Sequence, residues 1–406
     1  MRKPEKKGAV GMVMNWLNGK RLSLYPRIFV FVYLAIWGFW ILTGSGLTDR
    51  MGKPIGSDFL AFFTASSVAL RGEPAAAYDF GRFSEMERSI VKADYPAPWI
   101  YPPTYLLIVL PLGLLPYLAS LAAWTASTLT LFLLTLRRIA PHPSTTWLAL
   151  GFPGTFQNLT HGQNGFLIAA LLGGGLLSLE RFPLVAGILF GLLGIKPHMA
   201  ALVLVALTAG RHWKTLGTMI LSTGILTLVS GLAFGWSTWS AFLGNISLPL
   251  YLLENESSYW GKMITAYGSF RMLGLDSRTS LVLNGVVSIA AAGTVWWIWS
   301  RRTSVPVKAS SLCLSTLLFT PYAFSYDLAI LALPLAWLGW EALRGDWADW
   351  EKLCLAIGWF LPFLSPIIVV RAGIPVAPII LSFLLYIVLR RSGITSLPSG
   401  IPSAAL

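Results

Sequence analysis

The chain has 406 residues, of which 55% are hydrophobic and only 12% are charged, and its mean hydropathy is +0.67. Soluble domains carry about 25% charged residues, so this composition excludes a water-soluble globular protein. The net charge of +13 is spread between apolar segments, which indicates membrane topology, and we expect no nucleic-acid partner. The two cysteines, Cys313 and Cys354, lie far apart in apolar segments and predict neither a disulfide framework nor a zinc site.

The amino-terminal residues 1–26 are strongly basic and precede the first apolar run, residues 27–46. A run of about 20 apolar residues is long enough to cross the hydrocarbon core of a bilayer. Because basic segments stay inside, residues 1–26 are predicted to form a cytoplasmic tail. This tail is too long and too polar for an ordinary signal peptide.

Residues 47–103 are then predicted to form the first external loop. Seven acidic residues nearly balance six basic ones in this loop. An apolar stripe with nearly helical spacing runs through it, with Ser57 as a cap just before the stripe. This stripe consists of Phe59, Phe62, Phe63, Val68 and Leu70. We therefore expect one or two helices that lie along the outer membrane interface.

The next apolar segment, residues 105–136, is interrupted at Pro111 and Pro116 and ends at Arg137 and Arg138. This pattern predicts a short interfacial piece followed by one crossing towards the cytoplasm. Further basic residues recur behind the later apolar segments and are assigned to the cytoplasmic side. They are Arg181, Arg211, Lys214, Arg301, Arg302, Lys308, Arg344, Lys352, Arg390 and Arg391.

Two hairpins are predicted to enter the membrane without crossing it. Residues 183–209 must leave the cytoplasmic side and return, and each arm covers only about 20 Å at about 1.5 Å per residue. The turn Lys196-Pro197-His198 is therefore expected at membrane depth, in a cavity open to the outside. Segments 147–158 and 165–179 form a similar hairpin that turns at residues 160–164.

The sequence thus predicts an all-α polytopic membrane protein, a bundle of about ten to twelve membrane segments over residues 27–390. A second external loop spans residues 235–279, and its aromatic residues predict a second outer interfacial element. Residues 391–406 are expected to form a second cytoplasmic tail. No internal repeat is visible, which argues against a transporter built from inverted repeats.

Ionisable residues at membrane depth are costly and often functional. The predicted topology gathers polar side chains from five parts of the chain on the outer side: Asp58, Tyr101, His161, Gln163, Asn164, Lys196, His198, Lys262, Arg271, Tyr322, Tyr326 and Asp327. Asp58 suits a general base, although a carboxylate at a helix amino terminus is equally compatible with its position. Gln163 and Asn164 alternatively cap the next helix or satisfy free backbone groups at the hairpin tip.

The Lys196 ammonium needs an anionic partner within its apolar hairpin. A phosphate would meet this need, with His198 and Arg271 as further donors. A structural ion pair with Asp327 or Asp58 would meet it equally well. The chain has no phosphate-binding loop, dinucleotide fingerprint, HExxH motif, Asp-x-Asp pair or Gly-x-Ser-x-Gly elbow, and we expect no cofactor and no metal site.

Several short motifs occur in a distinctive order. They are Gly56-Ser57-Asp58-Phe59, Leu70-Arg71-Gly72-Glu73-Pro74, Ala77-Tyr78-Asp79, Tyr101-Pro102-Pro103, Gly162-Gln163-Asn164, Lys196-Pro197 and Pro321-Tyr322 to Tyr326-Asp327-Leu328. Because its motifs have this order and are all predicted on the outer side, the chain resembles glycosyltransferase family 87, the DUF2029 group of GT-C membrane enzymes. The resemblance runs from about residue 55 to about residue 330, and the family includes polyprenol-phosphate-mannose-dependent mannosyltransferases.

This resemblance implies a GT-C-like fold and a sugar transfer, with mannose as the default sugar. The donor would be a polyprenyl-monophosphate sugar, the acceptor a hydroxyl of a lipid or glycan, and the transfer inverting and on the extracytoplasmic face. Asp58 matches the catalytic carboxylate of the first external loop. Lys196, His198 and Arg271 would bind the donor phosphate. The substrate pocket would contain Tyr101, His161, Gln163, Asn164, Tyr322, Tyr326 and Asp327.

The implied location is a bacterial plasma membrane, with several crossings, both termini in the cytoplasm and membrane lipids as partners. Two other functions remain open at this point. One is a flippase or transporter of a lipid-linked or anionic solute, in which Lys196 is the counter-charge of the substrate. The other is a non-catalytic scaffold of an envelope complex.

Overall fold

The structure is a computed structural model that describes residues 19–345, 347 and 350–394. The described residues form α-helices joined by short 3-10 helices and contain no β-strand. The α-helices are α1 Gly19–Leu42, α2 Phe59–Leu70, α3 Phe80–Val91, α4 Pro103–Val109, α5 Tyr117–Ile139, α6 Thr145–Leu150, α7 Pro153–His161, α8 Gly165–Ser178, α9 Pro183–Leu192, α10 Pro197–Ala209, α11 Trp213–Phe234, α12 Trp236–Gly244, α13 Leu248–Asn255, α14 Ala266–Met272, α15 Ser277–Trp299, α16 Val305–Phe319, α17 Ala332–Arg344, α18 Glu351–Ala372 and α19 Ala377–Ile394. The 3-10 helices are Pro74–Tyr78, Leu110–Leu114, Leu193–Ile195, Ser257–Lys262 and Ser325–Leu331.

Six helical segments among the described residues are long and apolar enough to cross a membrane. They are α1, α5, α11, α15, the segment Ser325–Arg344 that contains α17, and α18. Shorter apolar helices, including α8, α9, α10 and α16, lie among them. The prediction of an all-α polytopic membrane protein is therefore confirmed.

The first long helix differs from its predicted extent. α1 begins at Gly19 and continues through Pro26, whereas the apolar run in the sequence begins at residue 27. Lys20 and Arg21 have good helix propensity, so the helix includes them. A count of apolar residues leaves them out, because both are charged. Residues 1–18 of the predicted amino-terminal tail and residues 395–406 of the predicted carboxy-terminal tail lie outside the described residues.

Both predicted breaks in the hairpins are present. Lys196 lies between the 3-10 helix Leu193–Ile195 and α10, with φ −140° and ψ 73°, and Pro197 is the first residue of α10. A proline disfavours helical geometry in the residue before it and needs no hydrogen-bond acceptor at a helix start. α7 ends at His161, and the φ of +63° at the next residue, Gly162, reverses the chain before α8.

The helices of the predicted first external loop differ from each other in burial. α2 is buried against the protein on nearly all sides, and two of its three phenylalanines, Phe59 and Phe62, are inaccessible. Only α3 is amphipathic, with an exposed face opposite Phe83. The residue that caps α2 is Asp58, where the sequence indicated Ser57, and the Asp58 side chain makes no capping hydrogen bond.

The packing of short helices brings distant turns together. α8 packs on α5, and α9 packs on α11, which holds one arm of each hairpin against a long helix. The 3-10 helix Ser325–Leu331 packs on α7 and α8. The Asn158 amide donates to the carbonyl oxygen of Tyr326 over 2.6 Å and fixes this contact. The turns at residues 58, 162–164, 196 and 320–327 consequently lie near one another.

Candidate active site

Two turns that are distant in the sequence hold the Asp58 carboxylate. The Asp58 backbone N–H donates to the carbonyl oxygen of His161 over 3.0 Å. The Gln163 side-chain amide donates to Asp58 Oδ2 over 3.2 Å, and the Ser57 hydroxyl donates to Oδ1 over 3.3 Å. Asp58 is partly exposed while Ser57 and Gln163 are buried. The carboxylate is therefore oriented by the protein and still accessible to a substrate.

Two glycines allow these turns to approach each other. Gly56 and Gly162 have φ values of +70° and +63°, a region that L side chains rarely adopt. A Cβ atom at Gly162 would lie 2.6 Å from the Cβ of Phe59, and one at Gly56 would lie 2.8 Å from a methyl group of Leu121. Glycine at both positions thus permits the close contact between the loop before α2 and the turn after α7.

Gln163 also connects the carboxylate to Tyr101. The Tyr101 hydroxyl donates to Gln163 Oε1 over 3.4 Å, and the Asn164 backbone N–H donates to the same oxygen over 2.8 Å. The Tyr78 hydroxyl donates to the Tyr101 carbonyl oxygen over 2.9 Å. These bonds fix the amide so that its NH₂ group faces Asp58. The side chain of Asn164 is fully buried and its amide has no hydrogen-bond partner in the structure.

A cavity of about 380 Å³ has Tyr101 in its wall. Its polar wall consists of Tyr101, Lys196, His198, Thr320, Tyr322 and Tyr326. Its apolar wall includes Ile100, Ile195, Ile246, Leu250, Leu253 and Leu281. The cavity therefore combines a buried ammonium and several hydroxyl groups with a surface suited to hydrocarbon.

Lys196 forms an ion pair with Asp327 inside the protein. Its ammonium group contacts Asp327 Oδ1, and both side chains are almost fully buried. The second carboxylate oxygen, Oδ2, accepts the Phe324 N–H over 3.0 Å, and the ammonium lies 5.3 Å from the centre of the Tyr326 ring. Of the two carboxylates that the sequence offered as partners, Asp327 is the one that pairs. An ammonium has three N–H donors, and the cavity wall includes Lys196, so a ligand there can share this charge.

The tyrosines of the cavity remain neutral hydroxyl donors. Burial raises the pKa of Tyr101 and of Tyr322 well above the usual value, and the negative charges of Asp327 and Asp58 raise it further. Both hydroxyl groups therefore lie within electrostatic range of both carboxylates. The two ends of the site, Asp58 and the Lys196–Asp327 pair, flank the same tyrosines.

His198 also contributes a polar group to this cavity. Its ring packs edge-on against Tyr322, with 5.8 Å between the ring centres. Its Nε2 atom is buried and has no hydrogen-bond partner in the structure. An unpartnered buried ring nitrogen in a cavity wall is available to a polar ligand.

His161 and Arg271 neither line the cavity nor offer their side chains to Asp58. His161 Nδ1 bonds to the carbonyl oxygen of Gln157, and His161 serves Asp58 only through its own backbone. The Arg271 guanidinium stacks on Trp260 at 4.3 Å and donates to the carbonyl oxygens of Glu254 and Leu275. Arg271 is not among the residues that line the cavity, although its buried Nε has no hydrogen-bond partner in the structure.

Sequence reasoning missed two tyrosines near Asp58. Burial and, to a smaller extent, the Asp58 charge raise the pKa of Tyr95 to about 12. Burial also raises the pKa of Tyr259, and the charges of Glu256 and Asp58 raise it further. External aromatic residues look alike in a sequence whether they anchor a membrane interface or line a site. Within the described residues, no three His, Cys, Asp or Glu side chains are grouped as metal ligands.

Comparison with known proteins gives one match. A model of glycosyltransferase family 87 matches residues 99–321, more than half of the chain. The matched region contains Tyr101, Gln163, Asn164 and Lys196, while Asp58 lies before it. No curated protein and no solved structure matches the chain.

Proposed function

Because the chain belongs to glycosyltransferase family 87, we propose that it transfers a sugar from a polyprenyl-monophosphate donor to an acceptor hydroxyl. The acceptor would be a lipid or a glycan, the transfer would invert the anomeric centre, and the site would face outward. Mannose is the first sugar to test.

The observation that carries this proposal is the arrangement around Tyr101. Asp58 is joined to Tyr101 through Gln163. Tyr101 also belongs to the wall of the cavity that contains the buried Lys196 ammonium. A base and a cation connected through one polar side chain fit a reaction in which a proton is removed at one group and negative charge develops at another.

The proposed reaction is a single displacement. Asp58 accepts the proton of the acceptor hydroxyl while the acceptor oxygen bonds to C1 of the sugar from the face opposite the phosphate. The bond between C1 and the phosphate oxygen breaks, and its electron pair stays on the polyprenyl phosphate. Lys196 and the Tyr322 hydroxyl would stabilise that charge, and His198 Nε2 would supply a further hydrogen bond. Attack opposite to the leaving group inverts C1.

The apolar part of the cavity supports a lipid-linked donor. Leu250, Leu253 and Leu281 line the same cavity as the polar groups, so a phosphate at Lys196 would have hydrocarbon surface beside it. A polyprenyl chain has only apolar groups to bury there. A nucleotide donor would place its polar base and ribose against this surface.

Asp58→Asn tests the assignment of the base. In detergent with polyprenyl-phosphate mannose and a glycolipid acceptor, we expect the turnover rate to fall by about 10²–10⁴-fold with little change in donor affinity. Asp276→Asn is the matched control, because Asp276 is an exposed carboxylate that caps α15 and asparagine caps nearly as well. A fully active Asp58→Asn enzyme would refute the assignment.

A transporter of an anionic or lipid-linked solute remains the second candidate. The buried ion pair between Lys196, at a helix break, and Asp327 favours it, because such pairs also occur in transport pathways. The two functions differ in the access they require. A transferase needs the cavity open to one side only, and a transporter needs it open to each side in turn.

A further inference from the structure

Residues 93–101 form an irregular segment between α3 and α4, and this segment carries Tyr101. It contains Pro96 and Pro98, which have no backbone N–H to donate. Within the described part of the chain, no hydrogen bond joins the backbone of this segment to another backbone group. The position of Tyr101 therefore depends on the side chains that bind the segment.

Two buried side chains bind this backbone. Glu87 Oε2 accepts the Ala97 N–H over 3.0 Å, and the Tyr78 hydroxyl donates to the Tyr101 carbonyl oxygen over 2.9 Å. Glu87 lies on α3, which packs on α2, and α2 begins directly after Asp58. The bond between Glu87 and Ala97 therefore fixes the segment relative to the helix that follows Asp58.

Tyr101 connects this segment to the candidate active site. Its hydroxyl donates to Gln163 Oε1 over 3.4 Å, and the Gln163 amide donates to Asp58. Its side chain also belongs to the wall of the cavity that contains Lys196. Because a bond of 3.4 Å is already long, a small displacement of Tyr101 would break it. The Gln163 amide would then lose a contact that orients it towards Asp58.

Glu87 is an unusual residue for an internal contact, because it is only 2% exposed and its Oε1 atom has no hydrogen-bond partner in the structure. Of the charged side chains, Arg88 on the same helix is within electrostatic range, but it is exposed and pairs with Asp94. The other elements around Glu87 offer only neutral phenols, Tyr78 and Tyr117, and α2 has no titratable side chain. A carboxyl group in such surroundings is stable in its neutral form.

We propose that Glu87 is a positioning residue of the sugar transfer: through the Ala97 N–H it fixes residues 93–101 and keeps Tyr101 in contact with Gln163. This inference rests on the proposed function. Ionisation of Glu87 would place a charge without a counter-charge in the interior and would favour conformations in which the carboxylate reaches water. Such conformations release the segment, so sugar transfer should slow on the alkaline side.

Hydrogen exchange followed by mass spectrometry tests the contact in the full chain in detergent, without any substrate. The Ala97 N–H is the one amide of residues 93–101 that has a hydrogen-bond acceptor in the structure. In Glu87→Leu, exchange at Ala97 should become about tenfold faster at pH 7. Glu87→Gln keeps a carbonyl acceptor and Glu85 is exposed, so Glu87→Gln and the control Glu85→Leu should leave this exchange unchanged. Unchanged exchange in Glu87→Leu would overturn the proposal.

The pH–rate profile of sugar transfer tests the link to the reaction. We expect the turnover rate of Glu87→Leu to fall about 10–10²-fold, because a small displacement in a site is costly, and Glu87→Gln to restore most of it. Burial raises the pKa of Glu87 to about 8, so the unaltered protein should slow above pH 8 and Glu87→Gln should not. A purely structural role would not move this alkaline limb.

The outcomes separate the two proposals. An alkaline limb that is the same in Glu87→Gln and in the unaltered protein would overturn the role of Glu87, even if Glu87→Leu fails to fold. An unaltered protein that transfers no sugar would refute the proposed function instead. Hydrogen exchange at Ala97 would still show in that case whether Glu87 fixes the segment.

Discussion

Lys196 has a structural partner in Asp327 and a proposed second partner in the donor phosphate. The sequence predicted that this ammonium needs an anion, because no lysine is stable alone among apolar helices. The sequence left the choice between Asp58, Asp327 and a phosphate open, since each of these anions can pair with the ammonium. The structure selects Asp327 through the Phe324 N–H, which fixes the second carboxylate oxygen. The partner of a buried lysine is the carboxylate that lies nearest to it in the folded protein, and the sequence does not give that distance.

The ion pair gives a test that separates stability from catalysis. Lys196→Met leaves Asp327 buried without a counter-charge and should destabilise the protein by about 3–5 kcal/mol. The double variant Lys196→Met/Asp327→Asn should regain most of this stability, because asparagine still accepts the Phe324 N–H. Thermal unfolding in detergent measures both. We expect the double variant to stay inactive in sugar transfer, and recovered activity would mean that the pair has a structural role only.

Gln163 positions Asp58 without being the base. Gln163→Glu keeps an acceptor for the Asn164 N–H but places a second carboxylate beside Asp58. Like charges in one site disfavour ionisation, so the acidic limb of the pH–rate profile should move up by about one pH unit. The measurement is the initial rate of sugar transfer against pH. An unchanged profile would show that the Gln163 amide does not act on the base.

At the scale of secondary structure elements, glycine and proline made the helix breaks predictable. Pro197 and Gly162 leave few backbone choices, and both breaks occur where the sequence placed them. The orientation of α2 was not predictable, because an apolar helix looks the same whether lipid or protein covers it. The hydrogen-bond partners of Arg271 were also not predictable, since the two carbonyl groups that it binds come from separate parts of the predicted second external loop.

Helix α3 carries a buried carboxyl group with a clear pH signature. Burial raises the pKa of Glu87 from its ordinary value of 4.5 to about 8, and one of its oxygens has no hydrogen-bond partner. The folded state then binds the proton more tightly, so the free energy of unfolding falls as the pH rises from about 4.5 to about 8. Glu87→Gln should remove this slope and raise the melting temperature at pH 8.

The control for this prediction lies on the same helix. Glu85 is exposed, so Glu85→Gln should leave the pH dependence of the melting temperature unchanged. Melting curves in detergent from pH 5 to pH 8 measure both variants. A Glu87→Gln protein with the same slope as the unaltered protein would contradict the raised pKa.

Arg391 of α19 joins three helices at one end of the bundle. It binds both oxygens of Glu351 in α18, over 2.6 and 2.7 Å, and Glu341 in α17 over 3.2 Å. Arg391→Met removes the ion pairs with Glu351 and Glu341 and should lower the melting temperature. Thermal unfolding measures it. Arg390→Met is the control, because Arg390 is exposed, and equal melting temperatures of the two variants would contradict the role of Arg391.

At the scale of the whole molecule, charge and hydropathy were sufficient for the class of protein. They were insufficient for the number of crossings, because short arms such as α9 and α10 are apolar without being long enough to span. The gathering of distant turns followed from assigning basic clusters to one side. What the sequence lacked was the packing of the Ser325–Leu331 segment on α7 and α8, which decides how close these turns come.

Cavity access distinguishes a transferase from a transporter. In a protein with Cys313→Ala and Cys354→Ala, a cysteine at the cavity residue Leu250 should react with a membrane-impermeant maleimide from the outside only. A cysteine in place of Arg302, which is exposed beyond the other end of α15, serves as the control for the inner side. Reaction of Leu250→Cys from both sides of sealed vesicles would favour the transporter.

The most direct measurement is a structure of the full chain with a non-transferable polyprenyl-phosphate sugar, in which carbon replaces the bridging oxygen. We expect the phosphonate within hydrogen-bond distance of the Lys196 ammonium. C1 of the sugar should then point towards Asp58, with room between them for one acceptor hydroxyl. A phosphonate bound elsewhere, or a sugar turned away from residue 58, would contradict the proposed site.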